Sequence, residues 1–486
     1  MKKIFVFALA ILMLMTVCIP AHANSAQVHW QGVNATGAII ADGNSPIIVE
    51  KELLTFDIAQ FPQNYYSNIA EYLSYTGRVT AEYTFYNPSD YTVTAKLMFP
   101  FGAQPTYASN YDYETGNRID HADTEKYDVT VNGETIEKNL RYTLSEWGAQ
   151  FELTKDLALL HDGFVEDGFY SPDMPVTVYL YKVSGVDTQK YPAATVAFDI
   201  SEDDYPNSRI YFQEQSGSHF SNRTNTQRMS IDAENDQKIV LWVIGEPLDA
   251  PLEWKFYQNG GVEDREQIDG TVVHYETETM TFKDFAMQGW FEEHTTVSES
   301  DWYNAIVAFI KDAETSSFGS MLYLWNPYVI NSPTLMRWYE YEITLAPGER
   351  IVNTVTAPIY PSIDSSYKPS VYEYTYLLSP AKTWSEFGEL EIVINTPYFV
   401  TESSLNGFEK TETGYSLTHN GLPTGELVFS LSEILMPKKY VPQITDYIPI
   451  EIIISFSVIG GVALLLVGGA IAIIVIRRKK KRSASI

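Results

Sequence analysis

Cysteine is almost absent from this chain: one is present among 486 residues. It is Cys18, inside the apolar run at the N-terminus. If that run is removed as an export signal, the mature chain contains no thiol. Disulfide bonds, thiol nucleophiles and cysteine-ligated metals are then excluded. Stability has to come from hydrophobic cores, and a chain of this length can build them.

Local catalytic motifs are also lacking. The sequence contains no Gly-x-Ser-x-Gly, no His-Glu-x-x-His and no glycine loop of the kind that cradles phosphate. Two Ser-x-x-Lys strings, at 365–368 and 379–382, lie beside proline, which opposes the helix that this motif requires. The sequence therefore predicts a protein that is not an enzyme and has no cofactor. A glycan-active envelope hydrolase is the alternative, because its paired acids can lie far apart in sequence.

Positive charge is scarce as well. The chain has 33 Lys and Arg against 62 Asp and Glu, a formal net charge of −29. Such a field repels nucleic acid, so no nucleic-acid partner is expected. It is compatible with a solvated acidic surface, with bound cations or with a basic partner.

One acidic cluster has the composition of a cation site. Asp232, Glu234 and Asp236 lie close together, and carboxylate oxygens are the ligands that Ca²⁺ prefers. The string lacks the glycine and the distal glutamate of an EF-hand, so an acidic surface turn is the alternative. The histidines of the mature chain are scattered and show no metal-ligand spacing.

The N-terminus has the pattern of an export signal over residues 1–23. Lys2 and Lys3 precede the apolar run 4–19, and Ala21-His22-Ala23 is a small-x-small cleavage site. The predicted mature chain begins at Asn24.

The C-terminal part predicts a single transmembrane helix at 452–476. These 25 residues carry no charge and are long enough to cross a hydrocarbon core of about 30 Å. A basic cluster follows at once and should remain in the cytoplasm. This predicts a cell-membrane protein with its N-terminus outside, a tether at 438–451 and a cytoplasmic tail at 477–486. The basic residues are Arg477, Arg478, Lys479, Lys480, Lys481 and Arg482.

Small residues within the predicted span offer a packing face. Ser457 and Gly461, and then Gly468 and Ala472, are small-xxx-small pairs of the kind that lets two helices approach closely. One interpretation is a homodimer that forms through this helix. Because small residues are common in such spans, the alternative is a helix that only anchors the protein.

Between the two ends, apolar residues alternate with a period of two, which predicts a mainly β fold. Residues 79, 81, 83 and 85 are expected on one face of a strand, and 93, 95, 97 and 99 on one face of its partner. The turn residues Asn87-Pro88-Ser89-Asp90 separate them. Asn132-Gly133 then favours a type I′ hairpin turn.

This order carries a resemblance. With Tyr86-Asn87-Pro88, Phe99-Pro100-Phe101 and Val129-x-Val131-Asn132-Gly133-Glu134, the stretch 78–142 resembles the VIT domain of vault-associated and inter-alpha-trypsin-inhibitor proteins. It is also similar to uncharacterised bacterial exported domains. VIT domains usually precede a von Willebrand A domain, whose Asp-x-Ser-x-Ser string is absent here. The resemblance implies a β-sandwich with an interaction role.

The body is expected to contain two or three β-sandwich-like domains. These are an N-terminal, VIT-like sandwich at 24–145, a second β-rich domain at 146–295, and a helix with a C-terminal sandwich at 296–437. The helix is predicted over 300–314, where apolar residues fall at helical spacing and Ser300 can cap the start.

Together these features predict a non-enzymatic, membrane-anchored bacterial cell-surface protein that binds an extracellular protein or glycan. The many aromatic residues, 34 Tyr, 24 Phe and 9 Trp, suit strand packing and could also stack on sugars. Besides the envelope enzyme, a single-pass sensor or assembly component is the remaining alternative.

Overall fold

The structure is a computed structural model of the chain. It describes residues 35–36, 39–40, 45–62, 77–102, 128–144, 153–201, 203–212, 217–221, 225–259, 266–289, 297–315 and 335–440. The predicted signal peptide, span and basic tail, and the tether beyond residue 440, lie outside these residues. No helix in the described part of the chain is long and apolar enough to cross a membrane.

The fold is mainly β, which confirms the class that the period-two pattern predicted. The described residues of the first stretch form eight strands: β1 (Ala35–Thr36), β2 (Ile39–Ile40), β3 (Ile48–Asp57), β4 (Gly77–Tyr86), β5 (Val93–Gly102), β6 (Asp128–Val131), β7 (Glu134–Thr135) and β8 (Asn139–Leu144).

The middle stretch combines strands with the helices of the described chain. Its elements are α1 (Leu153–Leu157), β9 (Pro175–Ser184), β10 (Thr195–Ser201), β11 (Ser208–Phe212), β12 (Gly217–Ser221), β13 (Thr226–Asp232), β14 (Lys238–Gly245), β15 (Trp254–Tyr257), β16 (Thr271–Thr281), α2 (Phe282–Ala286), a 3₁₀ turn (Met287–Gly289) and α3 (Glu299–Thr315).

The last stretch returns to strands, with one 3₁₀ segment at Ser379–Thr383. The strands are β17 (Leu335–Leu345), β18 (Arg350–Ile359), β19 (Ser362–Asp364), β20 (Tyr367–Lys368), β21 (Val371–Leu377), β22 (Phe387–Asn395), β23 (Phe399–Ser403), β24 (Glu409–Lys410), β25 (Gly414–Asn420), β26 (Leu427–Ser432) and β27 (Lys438–Lys439).

An eight-stranded sheet forms the centre of the larger half of the molecule. Its order is β24-β25-β22-β3-β4-β18-β6-β7. Neighbours are antiparallel except β22 and β3, which run parallel. Strand β18 lies between β4 and β6. The stretches 24–145 and 296–437, which the pattern assigned to two domains, therefore both contribute strands to one sheet, with β18 of the second stretch inserted between β4 and β6 of the first.

Two smaller sheets pack on this large sheet and share its hydrophobic core. One has the order β2-β5-β17-β8, and the other β1-β21-β26-β23 with β19 beside β21. Apolar side chains from all three sheets form one cluster, which we call the main core. The predicted inward faces of β4 and β5 are confirmed, because their alternate residues are buried there: Val79, Ala81, Tyr83, Phe85, Val93, Ala95, Leu97 and Phe99.

The two predicted turns of this half have the expected geometry. Asn87 is fully buried, and its amide donates to the carbonyl of Tyr91 at 2.8 Å and to that of Leu345 at 3.1 Å. This ties the β4–β5 hairpin to the end of β17. Asn132 and Gly133 have φ of 51° and 82°, the left-handed values that a type I′ turn needs at both positions.

The middle stretch forms a smaller sandwich, which we call the middle sandwich. Its sheets have the orders β11-β14-β9-β16 and β12-β13-β10-β15. Alternate side chains of β9 point to opposite faces of the strand and pack in two different hydrophobic cores. Val183 faces the second sheet, whereas Val176 and Val178 face helices α2 and α3.

Helix α3 begins slightly earlier than the sequence predicted. The hydroxyl of Ser298 accepts the backbone N–H of Asp301 at 3.1 Å, so Ser298 satisfies a free donor of the first turn. Ser300, the predicted cap, lies inside the helix. Of the four residues of the predicted apolar face, Trp302, Ile306 and Ile310 are buried and Phe309 is partly buried.

Candidate functional site

The middle sandwich has an open side with a surface pocket. Strand β15 is an edge strand of one sheet and β16 is an edge strand of the other, and both lie on this side. Between them is a pocket of about 470 Å³. Its walls come from the two edge strands and the chain around them: Gly185, Glu253, Trp254, Lys255, Phe256, Gln267, Ile268, Asp269, Gly270 and Thr271.

The rim of the pocket is polar. Glu253, Gln267 and Asp269 are all exposed. The ammonium of Lys255 lies 3.6 Å from a carboxylate oxygen of Glu253, whose side chain is 83% exposed. The rim thus offers carboxylate and amide oxygens, an amide donor and an ammonium within one small concave surface.

One wall of the pocket belongs to a cluster of aromatic rings. Trp254 is half-buried and packs edge-on against Tyr181, with ring centroids 5.2 Å apart, and against Phe198 at 4.8 Å. Tyr181 in turn lies 5.3 Å from the ring of His274 on β16. Tyr181 and Phe198 are buried, so Trp254 connects the pocket to the hydrophobic core of the middle sandwich.

The hydroxyls of this region are held as neutral donors and acceptors. Burial, and to a lesser extent the neighbouring Tyr179, raises the pKa of Tyr181 to about 12. The hydroxyl of Tyr179 accepts the backbone N–H of Leu248 at 3.0 Å. That of Tyr205 donates to Asp249 at 3.1 Å. These bonds fix the loop after β14 along the same side.

A glycine fixes the shape of the pocket. A Cβ placed on Gly270 would lie 2.4 Å from the ring of Phe256, which is buried. The backbone at 270 and the Phe256 ring are therefore in closer contact than any other residue type would allow. This close packing brings the start of β16 against β15.

The pocket is suited to binding. The half-buried Trp254 beside the polar groups of the rim suits a ligand with hydroxyl or amide edges and a small apolar face. Two carboxylates, Glu253 and Asp269, line it, as a glycan hydrolase would also require. A catalytic general acid is ordinarily buried, however, and the side chain of Glu253 is largely exposed.

The predicted cation site receives no support from the geometry. Asp232, Glu234 and Asp236 are all exposed, and the carboxylate of Asp236 lies 2.7 Å from the ammonium of Lys182. In the part of the chain that the structure describes, no group of three or more His, Cys, Asp or Glu side chains is placed to hold a metal ion. The predicted topology residues 477–482 lie outside that part.

The sequence pattern did not single out the pocket residues. Trp254 and Phe256 alternate in a short strand, which is equally typical of core packing. The one local sign is Asp269-Gly270, a turn-forming pair just before a strand. Only the pairing of β15 with β10, and of β16 with β9, brings the two edges together.

Comparison with known proteins adds little to this site. No family model matches the chain. No curated protein matches it either. Among solved structures, a protein of Legionella pneumophila that is provisionally described as nutrient-binding matches with a TM-score of 0.31 and 10% identity, covering 82% of this chain and 71% of that one. A TM-score this low does not establish a shared fold.

Proposed function

We propose that this chain is a non-enzymatic, membrane-anchored bacterial cell-surface protein that binds an extracellular ligand in the pocket beside Trp254. The observation that carries the proposal is the pocket itself, which Trp254 and a polar rim line on the open side of the middle sandwich. The sequence pattern of export signal, span and basic tail supports the surface location.

The size of the pocket favours a glycan over a protein as its ligand. Small-molecule sites range from about 300 to 1,000 Å³, and a protein interface buries about 800 Å² on each partner. A pocket of about 470 Å³ falls in the first class. Aromatic stacking combined with carboxylate and amide groups is suited to the faces and hydroxyls of a sugar ring.

The test is binding of soluble cell-envelope oligosaccharides to the full chain in detergent, measured by calorimetry. Trp254→Ala and Asp269→Asn should each weaken binding by about ten-fold or more, because they remove the stacking face and a hydrogen-bond acceptor. Tyr91→Ala is the control, since Tyr91 is an exposed aromatic residue in the β4–β5 turn. The site assignment fails if both pocket variants bind as tightly as the unchanged chain.

The hydrolase alternative rests on one observation, the presence of Glu253 and Asp269 in the same pocket. It predicts that the full chain releases shorter products from an oligosaccharide that it binds. Glu253→Gln should then abolish product release while leaving binding in place. Binding without any product, at long incubation, supports the non-enzymatic proposal.

The membrane orientation has a separate test. Protease added to intact cells should digest the acidic body and spare the residues beyond the predicted span at 452–476. Digestion of the tail alone would contradict the proposed topology. A transmembrane homodimer would appear as cross-linked pairs that are lost when Gly461 and Gly468 are replaced by Leu.

A further inference from the structure

A short apolar segment is exposed near the C-terminal end of the described residues, shortly before the predicted span in the sequence. Ile434, Leu435 and Met436 are 44%, 54% and 77% exposed. They are consecutive in the chain, whereas no two of the other large exposed hydrophobic residues of the described chain, Tyr91, Val273, Tyr275 and Val352, are adjacent in sequence. We call these three residues the apolar tip. A contiguous exposed apolar surface on a water-soluble body indicates a contact surface.

Positive charge collects beside the apolar tip although the chain as a whole is strongly acidic. Strand β27 pairs with β20, which places Lys438 opposite Lys368 and Lys439 opposite Tyr367. All three lysines are exposed, and none forms an ion pair with a carboxylate of the described residues. The ammonium of Lys368 lies 5.2 Å from the centre of the Tyr440 ring.

This combination is characteristic of a membrane interface. Apolar side chains enter the boundary between headgroups and acyl chains, tyrosine prefers the same depth, and lysines attract anionic headgroups at about 1 kcal/mol each. A protein partner is the alternative occupant of this surface. Lipid is favoured because the apolar tip lies close in sequence to the predicted span.

The length of chain to the span is short. Residues 441–451 connect the end of the described body to the predicted helix at 452–476. Fully extended, they reach at most about 40 Å, and a flexible chain of that length averages about 18 Å between its ends. The apolar tip is therefore held close to the bilayer whenever the span is inserted.

We infer that the apolar tip and the three lysines beside it bind the outer surface of an anionic phospholipid bilayer. This contact would set the orientation of the body relative to the membrane. This inference rests on the proposed membrane anchor. Contact at the tip would restrain the body against free rotation about its tether. The pocket of the middle sandwich would then face a set direction.

The experiment uses the full chain in vesicles of phosphatidylcholine with phosphatidylglycerol. Leu435→Cys carries an environment-sensitive fluorophore, and Val273→Cys on β16 carries the same label as a matched control, since Val273 is 48% exposed. Lipids with a nitroxide near the headgroup should quench roughly half of the emission at 435, because an interfacial segment lies within about 5–10 Å of that depth. Emission at 273 should not change.

Flotation of the same vesicles distinguishes a failure of the tip inference from a failure of the proposed membrane anchor. If the chain floats with the vesicles and position 435 is not quenched, the tip inference is overturned and the anchor stands. If the chain does not float, both are overturned. Equal quenching at 435 and 273 also contradicts the inference, because the contact would then not be specific to the tip. Replacing Lys438 and Lys439 with Gln should reduce quenching in anionic vesicles without reducing flotation.

Discussion

Glu52 in the main core and Asp301 at the start of α3 are both buried carboxylates, with 0% and 2% of their surface exposed. Their surroundings differ. Asp301 has a guanidinium beside it, whereas the groups that hydrogen-bond to Glu52 are tyrosine hydroxyls. The two regions thus show two ways in which a β-rich body of this kind accommodates a carboxylate away from water.

The Asp301 region is a charged joint between α3 and a sheet of the main core. One guanidinium nitrogen of Arg141 on β8 donates to Asp301 at 3.1 Å, and another donates to Glu340 on β17 at 3.0 Å. The backbone N–H of Tyr142 donates to the second oxygen of Asp301 at 3.0 Å. Each charged group here has a partner of opposite charge. These contacts connect α3 to β8 and β17.

The Glu52 region is a polar site within the main core. The hydroxyl of Tyr376 donates to Glu52 at 3.2 Å and lies 3.3 Å from the hydroxyl of Tyr83. Within the described residues, the other carboxylate oxygen has no hydrogen-bond partner. Burial raises the pKa of Glu52 to about 7, although the hydrogen bonds from the two tyrosines oppose the shift. This site should make the main core sensitive to pH, whereas the Asp301 joint depends on its cation.

The largest effect is expected from removing that cation. Arg141→Ala leaves Asp301 buried without its cation, whereas Glu340 keeps the ammonium of Lys96 at 2.9 Å. The loss of one member of a buried pair destabilises by about 3–5 kcal/mol. Urea unfolding at neutral pH measures the change. Adding Asp301→Asn to this variant should restore part of the loss, since it removes the uncompensated charge. A loss below 1 kcal/mol for Arg141→Ala would show that the joint behaves as a surface pair.

A somewhat smaller and pH-dependent effect is expected at Glu52. Because its folded-state pKa of about 7 lies above its ordinary value of 4.5, folding favours the protonated form. The stability from this group is complete below about pH 4.5, falls as the pH rises towards 7, and is lost above 7. Glu52→Gln mimics the protonated form. It should match the unchanged chain at pH 4.5 and exceed its unfolding free energy at pH 8 by on the order of 3 kcal/mol.

Unfolding curves at both pH values test this difference, and two further variants sharpen it. Glu134→Gln, at an exposed position on β7, should leave the pH profile unchanged. Tyr376→Phe removes a hydrogen bond to the carboxylate, so it should destabilise more at pH 8 than at pH 4.5. If Glu52→Gln is no more stable than the unchanged chain at pH 8, then Glu52 is not the group that couples the main core to pH.

Much of the fold could be predicted from local pattern. The face shared by Tyr83 and Phe85, the turn at Asn132-Gly133 and helix α3 all depend on residues near each other in sequence, where periodicity and turn chemistry act directly. The insertion of β18 between β4 and β6 depends on residues more than two hundred positions apart. No local pattern specifies which distant strand completes a sheet.

The burial of the two carboxylates could not be predicted equally well from the sequence. Glu52, Leu54 and Phe56 lie at alternate positions of β3, so the period of two places Glu52 on the inward face. This alternation is present in the sequence and indicates a buried acid at position 52. Asp301 gave no such sign, because an acid in the first turn of a helix is ordinarily exposed and favoured by the helix dipole. Its burial follows only from the packing of α3 against β8.

The smallest effect is expected at a third carboxylate, which lies on the same strand as Glu52. Asp57, near the end of β3, pairs with Arg78 at 3.1 Å, but the two side chains are 38% and 61% exposed. Water screens an exposed pair, so Arg78→Ala should change the unfolding free energy by no more than about 1 kcal/mol. The change should shrink further in high salt, whereas that of Arg141→Ala should persist. If Arg78→Ala destabilised the chain as much as Arg141→Ala, burial would not be what separates the two kinds of pair.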